Sequence, residues 1–112
     1  MAQAREYSAV KHIASRSFTP ALAWDSLPIA NMNGITVKLH WTDQPYQWHV
    51  NDGDEVFAVM DGEVAMHYRV NGREEVVLLK TGDIFYAETG TEHVAHPKGE
   101  ARILVIEKEG SV

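Results

Sequence analysis

A chain of 112 residues, 45% apolar and 23% charged, has the size and make-up of one globular domain around one core. Its formal net charge of -6, with acidic groups spread along the chain and no basic cluster, argues against nucleic-acid binding by phosphate neutralisation and against an anionic membrane surface. With no cysteine, the fold cannot rest on disulfides, and any metal site must use nitrogen and oxygen ligands.

The first residues, MAQAREYSAVKHIASRSF, lack the continuous apolar run of a signal peptide. No stretch approaches the ~20 apolar residues of a membrane span, so a cytoplasmic protein is expected. Tyr7, Val10, Ile13 and Ala14 are spaced for one face of a short helix within Glu6 to Ser17, which Pro20 would stop. The alternative for this segment is a loosely docked arm. The expected organisation is an N-terminal arm over 1–19, a β-domain over 20–108 and a frayed tail over 109–112.

From Gly34 onward the pattern predicts strand after strand. In ITVKLHW, Ile35, Val37, Leu39 and Trp41 alternate with Thr36, Lys38 and His40. TDQPYQ reads as a loop, because Pro45 bars a central strand. Asp61-Gly62 joins EVFAVM to EVAMHYRV, and Asn71-Gly72 joins that run to REEVVLL. Both are hairpin signals, since these turns need a positive φ that Gly, Asn and Asp tolerate. Lys80 to Asp83, Thr89-Gly90-Thr91 and Lys98-Gly99 separate IFYA, HVAH and ARILVIEK. Seven or eight short strands with closely spaced turns indicate an all-β sandwich or small barrel.

Side chains alternate across a strand, so His49 and Asn51 share a face if their segment is extended. Glu55, Phe57 and Val59 share one face, and Val56, Ala58 and Met60 the other, so this strand is expected to be covered on both sides. A carboxylate at its start is costly to bury unless paired, hydrogen-bonded or bound to metal. By parity, His40 is expected at the rim or facing solvent, and His67 at the surface. His96 is expected in a loop from which it could swing toward a pocket. Glu88 and Glu92 flank a turn; they are either solvated or available for proton transfer. Tyr46, Trp48, Phe57 and Tyr86 could line a pocket or pack the core, with Phe57 favouring the core and Trp48 the pocket. No nucleophile elbow, P-loop or dinucleotide fingerprint is present.

These residues resemble the cupin family. Its first motif reads G(X)5HXH(X)3-4E(X)6G; here His49-Val50-Asn51 is followed by three residues, Glu55, six residues and Gly62. Its second reads G(X)5PXG(X)2H(X)3N; here Gly82 is followed by Glu88, Gly90 and His93 at the matching positions. The likeness extends over about residues 20 to 108, and is close to small single-domain cupins of the mannose-6-phosphate-isomerase-like type. Asp43 stands at the first motif's leading glycine, Asn51 at its second histidine, Glu88 at the second motif's proline and Pro97 at its terminal asparagine.

The resemblance implies a double-stranded β-helix, a jelly-roll-like barrel of two antiparallel sheets, with a metal inside. Carried over by position, the ligands are His49, Asn51, Glu55 and His93. Two histidines and a carboxylate suffice for manganese, iron, nickel or zinc, and Asn51 would add only a weaker neutral oxygen. The implied activities are isomerisation, epimerisation, decarboxylation or oxygen-dependent cleavage of a small polar substrate. The alternative is a metal-free barrel that holds a small ligand, such as a sugar or organic acid, by hydrogen bonds alone. A weaker third reading is a structural partner. A homodimer is expected, from the resemblance and from the two apolar faces of strand 55–60.

Overall fold

Turn chemistry divides this chain into strands, and burial then decides which face of each strand is the inner one. A computed structural model describes residues 9–111. One 3-10 turn, Ser15–Ser17, precedes nine strands: β1 Ser26–Met32, β2 Ile35–Thr42, β3 His49–Val50, β4 Glu55–Asp61, β5 Val64–Val70, β6 Arg73–Leu79, β7 Ile84–Ala87, β8 Glu92–Pro97 and β9 Ala101–Lys108. All pair antiparallel, in one sheet of order β1-β2-β9-β4-β7 and another of order β3-β8-β5-β6. This is the double-stranded barrel that the resemblance implies. Among the described residues, no helix is long and apolar enough to cross a membrane.

The predicted hairpin at Asn71-Gly72 is present, with φ of 52° and 78°. The same signature at Asn33-Gly34, with φ of 55° and 89°, joins β2 to β1, a strand the alternation does not predict. Pro28 interrupts that run, and the structure accommodates it at an edge, where the pairing slips between Pro28 and Ala30.

Phe57, Val59, Val64, Met66, Leu79, Ala95, Ala101, Ile103 and Val105 form the core between the two sheets. Their positions orient β2. Lys38 stands opposite Val105, and His40 opposite Ile103, so both face the barrel interior. Leu39 and Trp41 therefore point outward, yet they are only 1% and 7% exposed.

The cover on that outer face is the segment before β1. Arg102, the partner of Trp41 in register, donates from Nε to Phe18 O at 2.9 Å and from its guanidinium to Thr19 Oγ1 at 2.6 Å. The same buried guanidinium pairs with Asp61 at 2.6 Å. A bulge between Val59 and Asp61 is what turns Asp61 to the outer face. The helix predicted within Glu6 to Ser17 is reduced to the single turn Ser15–Ser17, and its first residues lie outside those described. Within the arm, Ser17 N and Phe18 N close that one turn on Ala14 O and Ser15 O, and the Phe18 carbonyl accepts from Arg102 on the barrel. The tail is tied as far as Ser111, through Glu109 N to Gly34 O at 2.8 Å and Ser111 Oγ to Asp52 Oδ1 at 2.7 Å.

Gly62 and Gly90 both have left-handed φ, 82° and 91°, but differ in surroundings. A Cβ on Gly62 would run into the Glu100 carbonyl oxygen, whereas one on Gly90 would meet nothing within 4 Å. Gly90→Ala is expected to cost roughly 1–2 kcal/mol for the left-handed backbone alone. Gly62→Ala adds a backbone collision and is expected to cost clearly more. Urea denaturation of the two variants against the parent checks the order, and equal losses would contradict it.

Candidate metal centre

Two distant chain segments meet at one end of the barrel because β3 and β8 are neighbours. His49 pairs directly with His93, and Val50 with Glu92. Beyond β3 the pairing continues, with Asn51 N donating to Thr91 O at 3.0 Å and Gly90 N to Asn51 O at 2.9 Å. Asp54 Oδ1 accepts from Thr89 N at 3.0 Å and from Thr89 Oγ1 at 3.2 Å, tying the second motif's turn to the start of β4. Glu55 then opens β4 facing inward, opposite Ala87 on one side and Glu107 on the other.

The result is a compact polar cluster. His49, Glu55 and His93 each offer a ligand atom, all within 4.8 Å of one another. Among the described residues this is the one group of three or more His, Cys, Asp or Glu with that spacing. Glu55 and His93 are buried and His49 is half-buried, its ring 4.3 Å from that of His93. His93 Nε2 lies 3.1 Å from Glu55 Oε1 and 2.7 Å from Asn51 Oδ1. The amide of Asn51 is oriented by Nδ2 donating to Ala87 O at 3.1 Å, which aims Oδ1 at His93. One N–H cannot serve two acceptors well, so Nε2 donates to Asn51. Glu55 Oε1 and His93 Nδ1 are left buried without a hydrogen-bond partner.

Burial shapes the electrostatics. Desolvation, reinforced by Glu107 across the ladder, pushes the Glu55 carboxyl up to about 7. Desolvation, with His49 beside it, brings His93 down to about 4. For Glu55 the folded state holds its proton longer than the unfolded one, so this contribution to stability is lost as pH rises from 4.5 toward 7. For His93 the sign is opposite: stability is lost as pH falls from 6.5 toward 4. Both groups are thus poised to be neutral near pH 6, an acid and a base left uncharged side by side.

The donor set fits a divalent transition ion. It offers two imidazole nitrogens and a carboxylate oxygen, the ligand types that suit manganese, iron, nickel and zinc. His93 Nε2 and Glu55 Oε1, 3.1 Å apart, would suit neighbouring positions around an ion bound at ~2.1 Å once the ring proton moves to Nδ1. The unpartnered Glu55 Oε1 is the atom such an ion would satisfy.

The cluster opens onto a cavity of about 130 Å³ that Trp24, Lys38, His40, Tyr46, Phe57 and Glu107 also line. His40 therefore departs from its expected rim or outward position. Alternation gives the two faces of β2, but only the arm makes the apolar face the outer one. Trp48 does not line the cavity; its ring lies under Arg69 Cζ at 3.8 Å, and Arg69 pairs with Glu92 at 3.0 Å. His96 sits beside His67 with rings 4.5 Å apart, away from the cavity, and His67 Nδ1 lies 3.0 Å from Glu74. Tyr86 is 58% exposed, and Glu88 is exposed in its turn. Phe57 serves both core and cavity.

Trp24, Lys38 and Glu107 are cavity residues that sequence reasoning missed. Trp24 has a left-handed φ of 66°, and its carbonyl lies 3.1 Å from His40 Nδ1. The signal for Lys38 was the inverted face of β2. Glu107 shares its face with Val105 and Ile103 in ARILVIEK, and was legible once that face was known to be inward.

A family model described as a cupin domain matches residues 37–107. In structure the chain is similar to a cupin-2 domain-containing protein from Shewanella frigidimarina, with 30% identity and a TM-score of 0.72, covering 84% of this chain and 87% of that chain. It is also similar to hydroquinone 1,2-dioxygenase from Sphingomonas sp. TTNP3 with 4-hydroxybenzoate bound, with 15% identity and a TM-score of 0.71, covering 80% and 68%. A third likeness is to iron(II) HppE, with 17% identity and a TM-score of 0.59, covering 66% of this chain and 43% of that one. The last two show the fold alone. No curated protein matches the chain in sequence. With its domain match spanning most of the chain, its two-sheet barrel and its 30% identical relative, this chain belongs to the cupin family.

Proposed function

We propose that this cupin binds a divalent metal ion through His49, Glu55 and His93 and acts on a small polar metabolite, such as a sugar or organic acid, in the barrel cavity. The observation that carries the reading is the buried Glu55 oxygen with no hydrogen-bond partner, set beside two imidazoles. A bound ion of this kind polarises a carbonyl or enediolate oxygen of a substrate. The protein's own residues do the rest. Without an ion, Asn51, anchored on Ala87 O, holds the His93 ring by accepting from Nε2; with an ion bound, its Oδ1 would be the fourth group available. Trp24, Tyr46 and Phe57 give the cavity an apolar wall that limits water. Similarity in fold to hydroquinone 1,2-dioxygenase and to iron(II) HppE is consistent with metal-dependent chemistry and names no substrate.

A second reading is favoured by Asn51 itself. Its Oδ1 already accepts from His93 at 2.7 Å, so most of the network is closed without an ion. In that case the cavity holds a ligand by hydrogen bonds only. Elemental analysis of untagged protein decides between them. The first reading expects about one equivalent of transition metal per chain, falling at least ~10-fold in His49→Ala and His93→Ala. No metal, and no uptake of manganese, iron, nickel or zinc, would leave the second.

Metal uptake should also release protons from Glu55 rather than from His93, which is already neutral. With Glu55 held near 7, binding at pH 6 should release close to one proton from that carboxyl, falling toward none by about pH 8.5. Calorimetry in buffers of different ionisation enthalpy measures this, and Glu55→Gln should lower the release at pH 6 by close to one proton. Release unchanged in Glu55→Gln would remove Glu55 from the ligand set.

The outward side chains of Val56, Ala58, Ile84 and Tyr86 form a continuous apolar stretch on β4 and edge strand β7, with Ile84 67% exposed. This supports the homodimer reading. Sedimentation should show a dimer that Ile84→Asp converts to monomer; a monomeric parent would end that reading.

A further inference from the structure

The inner face of β2 is unusual for a barrel wall. Where its neighbour β9 contributes Ile103 and Val105 to the core, β2 contributes His40 and Lys38. Lys38 is half-buried and lines the same cavity as Glu55 and His93, and it is the one Lys or Arg among the residues lining it. Among the described residues, no carboxylate lies within 4.0 Å of its Nζ, although Glu107 belongs to the same wall. His40 is committed elsewhere, with Nδ1 at 3.1 Å from the Trp24 carbonyl, and burial lowers its pKa, so it adds no second cation. A half-buried cation facing this cavity, with Glu107 acting on it only across the wall and no anion in contact, is free to pair with an incoming anion.

Register gives the distance to be bridged. Lys38, Val105 and Phe57 form one row across β2, β9 and β4, and Glu107 and Glu55 lie two residues along on the same inner face. Two strand spacings separate Lys38 from the Glu55 strand by roughly 10 Å at the backbone. The cation therefore reaches the cluster along the sheet that carries Glu55, facing the sheet that carries His49 and His93, with the rings of Trp24, Tyr46 and Phe57 also lining the space. A ligand that suits all three features has a carboxylate at one end, a short carbon skeleton, and a hydroxyl or oxo oxygen next to it.

We propose that Lys38 is the specificity residue of this site, and that the ligand class is small 2-hydroxy or 2-oxo carboxylic acids. The carboxylate forms a charge-assisted hydrogen bond with Lys38, and the neighbouring oxygen faces the His49, Glu55 and His93 cluster. This rests on the functional reading above and narrows it from polar metabolites in general to acids. Glu107 on the same wall opposes an incoming anion and sets a limit on affinity.

The test uses a panel of 2-hydroxy and 2-oxo acids of two to five carbons, each with its amide and alcohol counterpart. Binding is read by ligand-observed NMR and by tryptophan fluorescence, on protein as purified and after chelator treatment. At least one acid should bind ~10-fold or more tightly than its amide and alcohol. Lys38→Met should lose that preference, with metal content and melting temperature close to the parent's, and Lys38→Arg should restore it. Glu107→Gln should tighten acid binding. Equal binding of acids and their neutral counterparts, no binding by any of them, or undiminished acid binding by Lys38→Met would overturn the assignment. Metal content is measured separately. A metal-free protein that keeps Lys38-dependent acid binding would sink the metal centre and spare this proposal; a loaded protein without that dependence would do the reverse.

Discussion

Everything at the functional end of this barrel turns on one buried carboxyl group. Glu55 opens β4 on the inner face, directly opposite Glu107 on β9, with little water to share the charge. Two acids side by side in a half-dry wall cannot both ionise cheaply without a positive charge nearby. The nearest titratable nitrogen, His93 Nε2, is 3.1 Å away but donates to Asn51, and its own burial keeps it neutral. The site therefore holds its proton on Glu55 up to about 7, or gives it up to a cation. That choice is what makes the cluster chemically responsive rather than merely polar.

The second constraint is the inversion of β2. A strand with Val37, Leu39 and Trp41 on one face would ordinarily turn that face inward. Here the outer layer is supplied by the N-terminal arm, held through Phe18 and Thr19 by Arg102, itself paired with Asp61 of β4. With the apolar face covered from outside, Lys38 and His40 are free to face the cavity. A buried guanidinium on one side of the sheet and a half-buried ammonium on the other are thus linked. The arm that uses the first makes the inward placement of the second tolerable.

The cavity combines three environments in a small space: a cluster of nitrogen and oxygen donors, an aromatic wall and a single cation. They are assembled from several parts of the chain, with β4 serving both donors and wall. The donors come from β3, β4 and β8, the wall from Trp24, the loop at Tyr46 and Phe57, and the cation from β2. Short-range pairing fixes the donors. Trp24 is held by its backbone N donating to Trp41 O at 2.8 Å and its indole donating to Gln44 O at 2.8 Å, in a left-handed conformation uncommon for a bulky residue. Such strain is kept only where surrounding contacts over-determine it.

The two-sheet barrel, the hairpin turn at Asn71-Gly72 and the meeting of His49, Glu55 and His93 were legible in the amino-acid order. The turn depends on local chemistry and the strands on alternation, both properties of the chain itself; the meeting of the three side chains was legible only through the resemblance of two separate motifs to the cupin pattern. β1 was hidden because Pro28 breaks its alternation, although Asn33-Gly34 marked its hairpin. The facing of β2, the loss of Trp48 to Arg69 and the entry of Lys38, Trp24 and Glu107 into the cavity were decided by tertiary structure. A period of two says which residues share a face; it does not say which face meets water, because that depends on what distant segment lies across it.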